Sequence, residues 1–169
     1  ATTNPFIGDI EQQRYLSLSN DGWRELSSPI IAQTLSNWQD DGLVMSNFPG
    51  SAFPSFGWTS VYTYEENLAN GVKEDGWAPA TNITNDLSFE KGHRIYIGTG
   101  NFNVSVKGAI NFGNQTVTLD YQNTLPSEIA ADEDQKGWNL IGNPYPCPID
   151  WDEIEATRKE NINVIINNL

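Results

Sequence analysis

Cysteine and histidine are almost missing from this chain, and each shortage excludes a class of site. Cys147 is the only cysteine, so no disulfide can form within the chain and no cysteine-based metal site can be built. His93 is the only histidine, and neither a zinc ligand set nor a phosphate-cradling loop is present as a pattern. Because nothing in the sequence marks Cys147 and His93 as a catalytic pair, we predict a protein that is not an enzyme.

Basic residues are also scarce. Nine lysines and arginines stand against 22 aspartates and glutamates, which gives a formal net charge of −13. A chain of this charge repels phosphate backbones and anionic lipid surfaces, so we predict no nucleic-acid partner. No apolar run approaches the roughly 18 residues that indicate a membrane-spanning helix, and we predict no membrane insertion.

Alternation with a period of two is the dominant pattern among the residues that are present. Five segments alternate and are rich in β-branched and aromatic residues, namely 14–19, 61–64, 94–97, 102–106 and 116–121. Glycine-containing turn sequences separate them. This arrangement predicts an all-β fold, an antiparallel β-sandwich of the jelly-roll kind. One short C-terminal helix is predicted at 152–161, with acidic residues in its first turn.

Residues 45–60 interrupt the strand pattern with a segment rich in Pro, Gly, Ser and aromatic residues. The segment is too long for a plain connection between two strands. A structured loop of this length often carries a binding function, and a flap that covers the core is the alternative.

A Gly-Trp motif occurs twice in the chain. Each copy is followed by an aliphatic residue and by a proline at matched spacing, in the segments 22–29 and 137–144. Glycine permits a tight entry turn, and the tryptophan is suited to anchor one sheet against the opposite layer. Proline cannot join a ladder of hydrogen bonds, and a neighbouring asparagine can bond the freed backbone. The predicted structural anchors are Trp23, Pro29, Trp138, Asn143 and Pro144.

The repeated motif also bears on domain organisation. We interpret residues 1–136 as a β-sandwich module, and 137–169 as the start of a second repeat unit or as the strands that complete the first. The apolar run 162–166 predicts a strand. Our expectation is that the chain is an excerpt and that the second unit continues past Leu169 in a longer parent protein.

Four segments follow one another in a fixed order: IEQQRYL from Ile10, GWRELSSPI from Gly22, KGHRIYI from Lys91 and GWNLIGNPYP from Gly137. Together they resemble a module of large multidomain surface and secreted proteins of the Bacteroidota, which commonly end in a type IX secretion sorting domain. The resemblance implies a secreted or cell-surface location and adhesin-like or architectural roles, and it supplies no catalytic residues. The partners that it implies are other domains of the same parent protein, the secretion machinery and surface glycans.

Six tryptophans suggest carbohydrate binding, because sugar rings stack on exposed indoles. Trp58 lies in the aromatic loop and Trp77 follows a Glu-Asp-Gly turn, so these two are the candidate sugar-binding residues. The alternative is that all six tryptophans lie in the core or at corners of the fold.

Asp132 and Asp134 are the candidate metal ligands, since hard oxygens at alternate positions beside a turn suit calcium. Similar acidic pairs occur at 40–41 and at 150 and 152. None of these matches the helix-loop-helix calcium pattern, and a solvated acidic surface is the alternative. We predict no cofactor apart from this candidate calcium ion.

The function that we expect from the sequence is that of a non-catalytic structural or adhesive module in an exported, cell-surface multidomain protein. A carbohydrate-binding module attached to a secreted polysaccharide-degrading enzyme is the alternative. One feature separates the two functions, which is whether a line of aromatic side chains is exposed on a flat face or in a groove.

Overall fold

The computed structural model describes residues 7–17, 22–69, 72–98, 100–121 and 135–150, together with the backbone of 163–167. Strands dominate these residues, and the all-β prediction is confirmed. The strands are β1 (Ile10–Leu16), β2 (Trp23–Leu26), β3 (Val61–Tyr64), β4 (Trp77–Pro79), β5 (His93–Tyr96), β6 (Phe102–Gly108), β7 (Trp138–Gly142) and β8 (Asn163–Asn167). Helix α1 spans Leu35–Asp40, and two single-turn 3-10 helices span Glu66–Leu68 and Lys73–Gly76.

Two antiparallel sheets form the body of the fold. β1 and β6 pair along their whole length as a two-stranded ribbon, and the larger sheet has the order β2-β5-β3-β4. β7 and β8 pair in parallel. Strand β7 also reaches the main body, because Gly92 donates to the carbonyl of Leu140 (2.8 Å) and Gly142 donates to that of Phe89 (2.7 Å).

Every second side chain of each sheet points into the main core. Val61 of β3 and Ile95 of β5 are directly paired and fully buried, and they meet Val104 and Val106 of the ribbon in one apolar cluster. The loop 45–60 contributes to the same cluster, since Met45 and Phe48 are also buried. Burying such side chains supplies most of the driving force for folding, at about 1.5–3 kcal/mol each.

Helix α1 was not predicted. It has six residues and begins after Thr34, where the side chains of Thr34 and Asn37 form a reciprocal capping box. Trp38 packs from the helix into the core and is only 2% exposed. So short a helix depends on this packing rather than on propensity, which explains why the sequence pattern gave no clear signal.

Residues 116–121 were predicted as a strand, and that prediction is wrong. The segment has no strand partner in the described residues, although its side chains still alternate between exposed and half-buried. The side chain of Asn139 takes the place of a partner strand, since it bonds both the N–H of Asp120 (3.0 Å) and its carbonyl (2.9 Å). The alternating pattern therefore marks an extended segment held by a side-chain amide.

The two Gly-Trp motifs have the same local structure. Gly22 and Gly137 both have a φ of +70°, and in each case the tryptophan that follows begins a strand. A Cβ on Gly22 would lie 2.6 Å from the ring of Tyr96, so glycine is required there for space as well as for φ. Trp23 and Trp138, however, are half-buried, and the expectation that they are core anchors is corrected to partial burial at the surface of the sheets.

The ends of the two motifs meet each other. The side-chain amide of Asn111 donates to the carbonyls of both Pro29 (3.2 Å) and Pro144 (3.1 Å). Pro29 is fully buried, and Pro144 is half-buried. Asn143 is 1% exposed, and its side chain bonds the carbonyl of Cys147 and the N–H of Tyr145. Asn111 therefore joins the ends of the two motifs at Pro29 and Pro144, and Asn143 fixes the turn that follows within its own segment.

Two predictions lie outside the described residues. The C-terminal helix at 152–161 is one, and the calcium ligands Asp132 and Asp134 are the other. Within the part of the chain that the structure describes, no helix has the length and apolar character needed to cross a bilayer.

Candidate functional site

The outer surface of the larger sheet is the candidate site. Since Val61 and Ile95 point into the core, their neighbours Tyr62, Arg94 and Tyr96 point away from it. Trp23 is directly paired with Tyr96 and lies on the same side. Strand alternation thus places aromatic side chains on the face that does not pack against the ribbon.

Trp23 is the centre of the ring contacts on this face. Its ring centroid lies 5.4 Å from that of Tyr96 and 6.0 Å from those of Tyr62 and Trp58. The rings are tilted by 53° to 64° from parallel. Tilted and edge-on arrangements of this kind are favoured by the ring quadrupoles, so the contacts between the rings stabilise the cluster.

The loop 45–60 extends the cluster beyond the sheet edge. Trp58 meets Tyr96 edge-on at 4.9 Å, Phe56 meets Trp58 at 5.6 Å, and Phe53 follows Phe56 at 6.5 Å. Ser46 fixes the base of the loop, because its hydroxyl donates to the carbonyl of Trp58 (2.9 Å). The loop therefore contributes to the core at its start, as the core-covering alternative predicts, and presents aromatic rings at its end.

These rings remain accessible. Phe53 is 54% exposed, Phe56 48% and Trp58 39%, while the sheet residues behind them are half-buried. We call this surface the aromatic face and define it by the rings of Trp23, Phe53, Phe56, Trp58, Tyr62, Trp77 and Tyr96. A contiguous exposed apolar patch with this composition is characteristic of a binding surface.

Arg94 connects the two ends of the aromatic face. Its guanidinium carbon lies 5.5 Å from the ring centroid of Trp23 and 4.9 Å from that of Trp77. Both are cation–π distances, and they hold the flat guanidinium against the indoles. The structure therefore brings Trp58 and Trp77, the two tryptophans predicted from the sequence, onto one surface, with Trp58 packed against Trp23 and Arg94 between Trp23 and Trp77.

Trp77 closes the far end of the aromatic face. It meets Tyr64 edge-on at 5.2 Å, and the Tyr64 hydroxyl donates to the carbonyl of Lys73 (2.8 Å). Burial, followed by the nearby charges of Glu66 and Glu74, raises the pKa of Tyr64 to about 12. The hydroxyl thus stays protonated at physiological pH and holds the end of the face in place.

A second feature is a cavity of about 430 Å³ beside β3 and β4. Its lining includes Thr63, Asn85 and His93, and an ion pair joins Glu65 to Lys91 at its wall. His93 is 3% exposed, and no described residue is bonded to its Nδ1. The pKa of His93 is lowered to about 4, mainly by burial; a backbone hydrogen bond at Asp86 opposes this effect and the charge of Lys91 adds to it.

Neither Cys147 with His93 nor the acidic pair 40–41 forms a site among the described residues. Cys147 is exposed whereas His93 is buried. Asp41 bonds the backbone N–H of Ser105 (2.6 Å), and nowhere in the described ranges do three His, Cys, Asp or Glu side chains come together as metal ligands do.

Sequence reasoning missed Tyr62, Arg94 and Tyr96 as members of the site. The alternation in 61–64 and 94–97 already separated these residues from the apolar ones between them. The alternation does not show that β3 pairs with β5 and that β5 pairs with β2. These two pairings place the outward side chains of the three strands on one surface.

Comparison with protein-family models, with curated proteins and with solved structures found no significant match.

Proposed function

We propose that this chain is a non-catalytic adhesive module that binds carbohydrate through the aromatic face. One observation carries the proposal: six aromatic rings of the larger sheet and of the loop 45–60 contact one another in a partly exposed cluster, and Arg94 joins a seventh, Trp77, to it. A line of exposed aromatics is the feature that distinguishes a sugar-binding module from a purely architectural one.

The chemistry of the face suits a saccharide. The C–H groups of a pyranose ring pack against the electron-rich face of an indole, while its hydroxyls need polar groups close by. Trp58 offers an exposed indole, and Glu25 and Arg94 stand beside the rings on β2 and β5. Because these rings already pack against one another, they lose little conformational entropy when a ligand binds. Such a preformed surface favours binding.

The location of the module belongs to the same proposal. Its resemblance to modules of exported Bacteroidota proteins supports a secreted or cell-surface location, where polysaccharides are the abundant ligands. The net charge of −13 supports a partner that is not a nucleic acid. The alternative parent protein is a secreted polysaccharide-degrading enzyme to which this module is attached.

The substitution Trp58→Ala tests the proposal. We expect it to weaken binding to the best polysaccharide of a soluble panel by roughly tenfold or more, since burying one large apolar side chain contributes about 1.5–3 kcal/mol. Affinity gel electrophoresis finds the polysaccharide, and isothermal titration calorimetry measures the loss.

Tyr15→Ala is the matched control, because Tyr15 is 61% exposed on β1 and lies outside the aromatic face. It should leave the affinity unchanged. Retention of no polysaccharide by the wild-type module, or an equal loss in both variants, would show that the aromatic face is not a sugar site and would favour docking of a neighbouring domain.

A further inference from the structure

The guanidinium of Arg94 is held on the aromatic face, and its N–H donors have no partner in the described part of the chain. It lies at cation–π distance from the two indoles of Trp23 and Trp77. No hydrogen bond or ion pair joins it to another described residue. A guanidinium carries five N–H donors in a planar arrangement. The indoles position this group but do not accept hydrogen bonds from it.

This is unusual in a chain with 22 acidic residues and only nine basic ones. Glu25 lies directly opposite Arg94 in the pairing of β2 with β5, and its side chain is on the same face. Even so, no ion pair within 4.0 Å forms between them. The donors of Arg94 therefore remain available to a ligand that lies across the rings.

We infer that the aromatic face selects a saccharide that carries a carboxylate, a uronic acid residue, and that Arg94 is the residue that determines this specificity. The inference rests on the proposed function, since it names the class of sugar bound at that same site. A carboxylate accepts two parallel N–H bonds from one guanidinium, which matches the fork in geometry as well as in charge. A neutral sugar would leave this charge without an anionic partner.

Glu25 refines the expectation. Its negative charge stands next to the position where the ligand carboxylate would bind Arg94, and like charges in directly opposed positions on a sheet repel. Glu25 should therefore lower the affinity for a uronate. Removing that charge should increase the affinity for an acidic saccharide and should not increase it for a neutral one.

The experiment compares each polyuronate with a neutral form of the same polymer. Polygalacturonate, alginate and glucuronoxylan are titrated into the intact chain beside their carboxyl-reduced counterparts, in which each carboxylate has become a primary alcohol. The titrations are done at about 0.15 M salt, which screens the repulsion between an anionic polymer and the net charge of −13 beyond about 8 Å. Under these conditions we expect the acidic polymer to bind about 10- to 100-fold more tightly than its reduced form, which is the range for a charge-assisted hydrogen-bond pair.

Three variants assign the effect to the guanidinium. Arg94→Lys keeps the charge but loses the fork, and we expect it to lose about tenfold in affinity for the polyuronate and little for the reduced polymer. Glu25→Gln should gain about two- to fivefold for the polyuronate. Glu11→Gln, which removes one negative charge from an exposed residue of β1, is the control matched in net charge to Glu25→Gln and should change neither affinity.

The possible outcomes separate the two proposals. Tight binding of a polyuronate that depends on Arg94 supports both. Equal binding of the acidic and reduced polymers overturns the inference about uronic acids and leaves carbohydrate binding in place. Binding of neither polymer, by a wild-type chain that also binds no other polysaccharide, overturns the proposed function and this inference together.

Discussion

Lowering the pH from 7 to 4.5 is expected to reduce the free energy of unfolding by about 2–3 kcal/mol through His93 alone. The folded state holds the pKa of His93 at about 4, because the imidazole is buried and protonation would place a charge in the core, whereas the unfolded chain has the ordinary value of 6.5. Between these two values the unfolded state binds more protons than the folded state. Stability therefore begins to fall near pH 6.5, and the loss is complete near pH 4.

Two measurements check this expectation. His93 is the only histidine, so its ring protons give a single NMR titration curve, which should cover no more than about a tenth of its full range between pH 8 and pH 5. Between pH 7 and pH 4.5, urea unfolding should show a smaller loss of stability for His93→Gln than for the wild type. Because both proteins have the same carboxylates, the difference between them reports His93. A histidine that titrates near 6.5 in the folded protein would contradict the burial account.

Gly142→Ala is expected to destabilise the protein by about 3 kcal/mol, at the upper end of the usual range for an added core methyl group. A Cβ at this position would overlap the Cβ and Oγ of Ser27 and lie 3.3 Å from the Cα of Phe89. Ser27 is 2% exposed and belongs to the first Gly-Trp segment, while Gly142 belongs to the second. The contact therefore fixes how closely the two segments approach.

Gly57→Ala is the matched control, since a Cβ there meets nothing within 4 Å and its backbone does not require positive φ. It should shift the urea midpoint little. The double variant Ser27→Gly/Gly142→Ala should recover part of the lost stability, because it removes the atoms that the new Cβ meets. A Gly142→Ala protein as stable as Gly57→Ala would show that the two segments are not packed as described.

The sequence was a good guide to strands and a poor guide to their partners. The bounds of β3 follow directly from Val-Tyr-Thr-Tyr, where β-branched and aromatic residues leave no other interpretation. The alternation in 116–121 was equally clear, yet the side chain of Asn139 bonds this segment where a strand would otherwise pair. Periodicity reports an extended backbone and does not report what the backbone is bonded to.

The candidate site was predicted only in its tryptophans. Trp58 and Trp77 were identified because they stand in turns and loops, where exposure is expected. Trp23 was expected in the core because Gly-Trp resembles an anchor, but the partner strand β5 presents Arg94 and Tyr96 to its outer side. Which face of a strand is outward depends on register with strands far away in the chain, and a single sequence does not contain that information.

The central claim is that the aromatic face is the surface that binds carbohydrate, and the indole N–H signals of the tryptophans test it most directly. On titration with the best polysaccharide fragment, the indole signals of Trp23, Trp58 and Trp77 should shift in a saturable manner. The signals of Trp38 and Trp138 should not shift. Trp38 is buried in the main core, and the ammonium of Lys73 covers the ring of Trp138. Saturable shifts at Trp138 with none at Trp58 and Trp77 would contradict the claim.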